Sequence, residues 1–440
     1  MGHVSTNDAR NPIGRKLPLQ QKMENTMRFG AANFLLLLSL FLYVCPINLG
    51  FDTQPFALML STLIVTFTIL KTKKISMNSN VFVLFLMFFV ACFFFAINAN
   101  KAAGLRSLAG YASLFMVTLA SYRTSRYIKT TWFNFAVYLY LSVGIIQLTV
   151  DKKFGAFLLP RMSTSVERGI TSLAVEPSAY AVVCIFMLMI NDFLLATGKQ
   201  NKRKYFIITL LLIAQILVTL SGIGLLFLTV YLTSKVISIL LKDGIAKHKG
   251  KLIIFALIIG SVFASFRNID SLQRSRGGLV LNAAISNPKL LLIEDGSIAD
   301  RLTHAILPIY SLSYSHGVGL GMGTWAKYAI NLRSYAGGFI EIMGQHATLT
   351  VDRIMSGWGT ALYELGSLGF VYMFVFINII VAGAKTKDKK LAMVYISSGI
   401  TIWLLMFMSI PLAFPLFSFM MGMFMYETGK RAIENNPNKI

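Results

Sequence analysis

The string Arg168-Gly169-Ile170-Thr171-Ser172-Leu173-Ala174-Val175-Glu176-Pro177-Ser178 brings a guanidinium and a carboxylate together within a short stretch of chain. Proline disfavours helix at the residue before it and fits a helix's first turn, so the order Glu-Pro predicts a break at Glu176 and a helix from Pro177. The apolar stretch that follows, to Thr197, is long enough to cross a bilayer by itself. Glu176 then stands at the mouth of a membrane helix, where an ionisable side chain is energetically costly and by default a functional candidate. A carboxylate so placed can take a proton from a hydroxyl nucleophile or orient an arginine. The plainer alternative is a capping carboxylate paired with Arg168.

Further along, Arg161, Arg267, Arg274, Arg276, Arg301, Arg333 and Arg353 join Arg168 as planar, permanently charged groups suited to two-pronged contact with phosphate. Glu294, Asp295, Asp300 and Asp352 are the acids that would otherwise pair with them. Gly317, Gly319, Gly321 and Gly323 alternate, which suits either a backbone nest for a diphosphate or a tight turn. The strand-helix unit of a dinucleotide fingerprint is missing around them. His304 and His316 lack metal-ligand spacing and no Asp-x-Asp accompanies them, so the expected chemistry is metal-free, with no cofactor. Tyr310, Tyr314, Trp325, Tyr328 and Tyr335 offer rings that can stack on sugars or simply pack.

These residues must be positioned by a membrane bundle. Hydrophobic residues make up 55% of the 440 and charged ones 13%, which excludes an ordinary soluble chain. Spans are expected near 29–50, 55–70, 80–97, 106–121, 132–150, 172–197, 204–220, 222–241, 251–266, 357–384, 391–408 and 412–428. The formal charge of +23 is dispersed as short Lys/Arg clusters between these runs, a topological pattern and not a nucleic-acid face. Alternating sides puts every basic cluster on one face, which predicts about twelve helices with both termini cytoplasmic. The division expected is a cytoplasmic tail over 1–28, nine spans over 29–266, a long extracytoplasmic loop over 267–356, three spans over 357–428 and a tail over 429–440. Apolar stretches at Gly278–Ile285 and Lys289–Ile293 are too short to span and predict helices at the interface. The first apolar segment lacks a cleavage signature and reads as a retained anchor. Cys45, Cys92 and Cys184 lie in apolar runs without disulfide or zinc spacing.

At the Arg168 to Ser178 string the sequence resembles the Wzy-type O-antigen polymerases, which carry an Arg ahead of a Glu-Pro-Ser segment. Arg301 followed by His316-Gly317-Val318-Gly319-Leu320-Gly321 resembles the family's external Arg and Gly-Val-Gly-x-Gly turn. Glu364-Leu365-Gly366-Ser367-Leu368-Gly369 resembles its Glu-x-Gly-x-x-Gly helix start. The likeness covers roughly 165 to 375. It departs from the related O-antigen ligases, whose His-Asn pair is replaced here by Ser356-Gly357-Trp358-Gly359, although His346 is near enough to take a similar place. The resemblance implies a GT-C-like, all-α glycosyltransferase of the bacterial inner membrane that works on the periplasmic face in lipopolysaccharide biosynthesis. It further implies that the enzyme extends undecaprenyl-diphosphate-linked oligosaccharides, with membrane lipid and a chain-length-regulating membrane protein as partners. Glu176, Arg168 and Arg301 would be catalytic; Arg161, Arg274, Arg276, His316, Gly319, Gly321, His346, Arg353 and Glu364 would bind substrate. A ligase acting on lipid A core and a lipid-oligosaccharide transporter are the competing expectations.

Overall fold

The computed structural model describes residues 19–45, 53–73, 77–97, 101–163, 169–243, 260, 268, 273–274, 276–351 and 353–435. Among them the chain is all-helical, and seven helices are long and apolar enough to cross a membrane, so the protein is a polytopic membrane protein. Gly30–Leu40 and Phe56–Lys71 are shorter apolar helices. Five of the twelve expected spans are therefore not among the seven. The helix over Lys202–Val218 has 17 residues, the apolar run at 29–50 leaves helix after Leu40, and the stretch expected at 251–266 lies almost wholly outside the described residues.

In chain order the helices are α1 (Leu19–Leu40), α2 (Phe56–Thr72), α3 (Ser79–Ile97), α4 (Lys101–Thr124), α5 (Thr130–Thr149), α6 (Pro177–Ala196), α7 (Lys202–Val218) and α8 (Gly222–Asp243). Then follow α9 (Arg276–Ser286), α10 (Pro288–Glu294), α11 (Gly296–Tyr314), α12 (Trp325–Ala336), α13 (Gly338–Met343), α14 (Gly357–Leu365), α15 (Phe370–Ala384), α16 (Lys389–Met408) and α17 (Pro415–Asn435). The middle of the bundle is α6, whose apolar window is 89% buried against α7, α8, α16 and α17; α3, at 22%, is a peripheral helix with Phe82, Phe89 and Phe93 facing outward. A helix apolar all round is stable in the interior of a bundle, and α6 follows that rule.

The break before α6 is a buried coil. Gly169 and the residues 170–175 are buried, and Gln147 on α5 holds them, accepting from the N–H groups of Thr171 and Ser172 and donating to the Ser172 carbonyl. Ser172 donates in turn to the Tyr140 carbonyl. Irregular backbone needs such partners when water is excluded, and here α5 supplies them. Gly169 lies so close to the end of α7 that a Cβ would sit 2.2 Å from the Val218 carbonyl oxygen.

A second, smaller core lies where α11, α12 and α14 meet. Leu307, Trp325, Ala329, Leu332, Leu349, Ile354 and Tyr363 form it. Helices α11 and α14 approach closely at Gly359, where a Cβ would be 2.7 Å from the His304 carbonyl oxygen. The stretch expected as one span over 357–384 is α14, a short turn over Gly366–Gly369 and then α15, because Gly366 takes a left-handed conformation (φ +61) that interrupts the regular helix.

Candidate functional site

Pro177 begins α6 and Glu176 precedes it in extended conformation (φ −155, ψ 159), as the Glu-Pro order predicts. The Glu176 carboxylate makes no capping hydrogen bond to the helix. It turns sideways: Ser178 Oγ donates to Glu176 Oε1 at 2.7 Å, and Arg301 Nη2 on α11 stands 3.7 Å from the same oxygen. Arg301 Nη2 also donates to Ser178 Oγ at 3.5 Å. Carboxylate, hydroxyl and guanidinium thus form one cluster between the start of α6 and the first turns of α11. The Arg301 side chain is 11% exposed and that of Glu176 29%, so the carboxylate opens to the exterior while the cation lies beneath it.

The neighbour of Arg301 anchors its helix. Asp300 faces away from the cluster, accepts from the Thr348 N–H at 2.7 Å and lies 3.3 Å from His304 Nε2. Burial alone would raise the Asp300 carboxyl. The hydrogen bond and charge of His304, the Thr348 N–H and Arg301 outweigh it and hold the group below its usual value. His304 is buried and stacks on Trp325 (5.0 Å, 27°), which meets Tyr363 edge-on (5.1 Å, 72°). Asp295 caps the start of α11, accepting from the N–H groups of Ser297 and Ile298. Arg301 therefore projects from a helix fixed at its start and along one side.

Left-handed torsions at Gly317, Gly319, Gly321 and Gly323 make the glycine run a tight turn. Four of its N–H donors are engaged within the protein. Gly317 N–H donates to the Leu312 carbonyl, Val318 N–H to Ser315, Gly319 N–H to Ser315 Oγ and Leu320 N–H to the Tyr363 carbonyl. The geometry favours the returning turn over an open anion nest. Gly319 and Gly366 pack backbone to backbone, and Gly323 fits against Gly104 of α4 with 2.5 Å to a would-be Cβ.

Glu364, expected at the substrate, is buried beneath this turn. Its Oε1 accepts from Ser107 Oγ of α4 at 2.5 Å, with the Tyr111 hydroxyl and the Gly323 N–H turned towards the same carboxylate. It ties together α4, the glycine turn and α14. Of the other expected residues, Arg161, Arg274 and His316 are exposed, and Arg353 is half-buried. His346 ends the turn Gly344–His346 and Arg276 starts α9, but the side chains of both lie outside the described residues, as does all of Arg168. The structure thus brings together Glu176 and Arg301, residues 125 apart in the chain (301 − 176).

Three sets of residues take roles in the structure that the sequence did not assign to them. Ser178 lies in the quoted string and bridges the pair. Asp300 and His304 carry a helical i, i+4 signal that was legible. The third set is inside the bundle. Asp192 on α6 accepts from the Tyr205 hydroxyl at 2.8 Å, from the Tyr231 hydroxyl and from Lys235 Nζ at 2.9 Å. A lone Asp and a lone Lys within apolar runs were the available signal. Among the described residues no cluster of three His, Cys, Asp or Glu is arranged to hold a metal ion.

No protein-family model, curated protein or solved structure matches this chain.

Proposed function

We propose that this protein is a glycosyltransferase of the bacterial inner membrane that polymerises undecaprenyl-diphosphate-linked oligosaccharide units on the periplasmic face. The observation that carries the reading is the Glu176–Ser178–Arg301 cluster, a partly exposed carboxylate with a guanidinium beneath it at the start of a buried apolar helix. The acceptor hydroxyl attacks the anomeric carbon of the growing chain, and its proton passes to Glu176. The bond from that carbon to the diphosphate breaks, and the leaving oxygen keeps the electron pair beside Arg301. Glu176 uses Oε1 for Ser178 and Arg301, which leaves Oε2 to meet the incoming hydroxyl. The 3.7 Å separation between Glu176 and Arg301 is longer than a hydrogen bond, so the carboxylate and the guanidinium are not locked to each other in a tight pair.

A transporter is the second reading, favoured by the ion pair of buried Asp192 with the partly exposed Lys235, since ionisable residues within spans mark transport paths. Reconstituted protein supplied with a synthetic lipid-diphosphate repeat unit separates the two. Ladders of longer glycans on the lipid diphosphate are expected. Movement of the unlengthened lipid across the bilayer would favour the transporter, and transfer of a preformed chain to lipid A core would make the protein a ligase.

A further inference from the structure

Two attractions act on the Glu176 carboxylate, and it follows neither. It stands at the N-cap of α6, where the first N–H groups of the helix favour an acid. It also faces Arg301, and a guanidinium closes on a carboxylate with parallel bonds of about 2.7–2.9 Å. Yet the carboxylate makes no capping bond, and Oε1 stays 3.7 Å from Arg301 Nη2. The short bond it does make is the 2.7 Å one from Ser178 Oγ. Among the described residues no other hydrogen bond holds the Glu176 side chain. The sense of that bond is fixed by chemistry. A guanidinium only donates and an ionised carboxylate only accepts, so the single hydroxyl proton of Ser178 points to Glu176 while a lone pair faces Arg301, 3.5 Å away. Ser178 lies in the first turn of α6, and the ring of Pro177 sets the backbone between it and Glu176. The hydroxyl is therefore carried at a defined place on a helix that the bundle buries.

We infer that Ser178 is a positioning residue of the proposed reaction: its hydroxyl tethers one oxygen of Glu176 to α6, which keeps the carboxylate from closing on Arg301 and leaves both charged groups available to substrate. The purpose of the tether rests on the proposed glycosyl transfer; its geometry rests on the three distances alone. Without the hydroxyl, a turn of the Glu176 side chain and an approach of about 1 Å bring the two charges into a two-pronged pair. The base then has both oxygens on a cation, and the guanidinium has lost the face it would offer to a diphosphate. Loss of one uncharged group disables two charged ones.

The test pairs turnover with a chemical measure of the untethered carboxylate oxygen. The full chain in lipid nanodiscs is treated with a water-soluble carbodiimide and glycine ethyl ester, and amide formation at Glu176 is followed by peptide mass spectrometry. The same preparations are assayed for glycan ladders from the synthetic lipid-diphosphate repeat unit. Ser178→Thr keeps a hydroxyl and Ser178→Val puts a methyl in its place, so these two variants share a shape and differ in the bond; Ser178→Ala removes the group altogether. The unaltered protein and Ser178→Thr label Glu176 at similar rates and make ladders. Ser178→Val and Ser178→Ala label several-fold more slowly, and their turnover per folded molecule falls on the order of 10- to 100-fold. Labelling as fast as in the unaltered protein, or normal turnover, in a well-folded Ser178→Val or Ser178→Ala protein would overturn the tether. Equal losses in Ser178→Thr and Ser178→Val would trace the defect to fit and not to the hydrogen bond, and would overturn it too. Absence of ladders from the unaltered protein would instead overturn the glycosyl-transfer reading, and the labelling rates would then decide the tether by themselves.

Discussion

Helix α6 carries an acid at each end, and the two are treated differently. Glu176, just ahead of its first residue, has one oxygen occupied by Ser178 and a guanidinium 3.7 Å away, and its side chain is 29% exposed. Asp192, one turn from the other end, is 6% exposed and has both oxygens filled: Tyr205 and Lys235 on Oδ1, Tyr231 and Lys235 on Oδ2. Lys235 adds a contact over the Tyr231 ring at 5.2 Å. A buried charge with every lone pair occupied is a structural tie among three helices, because no acceptor capacity is left for a visitor. A partly exposed carboxylate with a free oxygen beside a cation is arranged to receive one. Burial of an ionisable group in a membrane protein is thus an insufficient sign of a reacting site; unfilled hydrogen-bonding capacity is the sharper criterion.

The largest effect that tests this contrast is at Glu176. Glu176→Gln should reduce glycan formation on the order of 100- to 10,000-fold per unit of folded protein, with Glu176→Asp intermediate. Full normalised activity in the Gln form would sink the carboxylate's role and erase the difference between the two ends of α6. Asp192 should behave in the opposite way. Asp192→Asn or Asp192→Ala strands Lys235 and lowers thermal stability towards the lower end of the roughly 3–5 kcal/mol seen when a buried pair loses one partner, since Lys235 is itself 31% exposed. The activity of the molecules that remain folded should change little. A stable Asp192→Asn protein without activity would instead reveal chemistry at the inner cluster.

Arg301 sharpens the comparison further. Arg301→Lys keeps the charge but not the two-pronged geometry, so it should lose much of the activity, and Arg301→Ala more. Near-normal ladders from a well-expressed Arg301→Ala protein would leave Glu176 without its partner in the reaction. The smallest expected effect concerns Asp300, whose folded-state carboxyl is held below its usual value despite burial. Its contribution is complete above about pH 4 and is lost as pH falls through the lowered value. Hydrogen exchange at the Thr348 amide should therefore be slow and pH-independent in protection near neutrality, and should lose protection in acid. Asp300→Asn should already be less protected at pH 7. Equal protection in both proteins at neutral pH would mean that Asp300 does not hold the 347–355 segment against α11.

Much of the fold was legible because apolar runs and helices coincide when a helix is surrounded by lipid or by other apolar helices. The Glu-Pro order located the start of α6 to the residue, and the short apolar stretches near 280 and 290 do form helices, Arg276–Ser286 and Pro288–Glu294. Hydropathy was blind to where a run stops being helix. Tyr43 and Cys45 continue the first apolar run after α1 has ended, because burial and not helicity is what an apolar run reports. The candidate site was half legible. Local order pointed to Glu176, and the family resemblance singled out Arg301 from the other arginines, but nothing in a single sequence records that the two meet through Ser178. Glu364 shows the converse limit: the resemblance implied a substrate-binding carboxylate there, and only the tertiary packing of α4 against it reveals that it is internal.

The close fit of Gly317, Gly319 and Gly366 bears on the order in which the protein is made. The Gly323 face of the turn rests on Ala103 and Gly104, which leave the ribosome more than 200 residues earlier (323 − 104 = 219). Its other face rests on Gly366 and Ser367, which leave more than 40 residues later (366 − 319 = 47). During synthesis the turn has one wall of its seat and not the other, and α11 can settle against α14 only once that helix, which ends at Leu365, has emerged. The arrangement that sets Arg301 beside Glu176 is therefore a late event in biogenesis, completed after the helix bearing Glu176 has long been in the membrane.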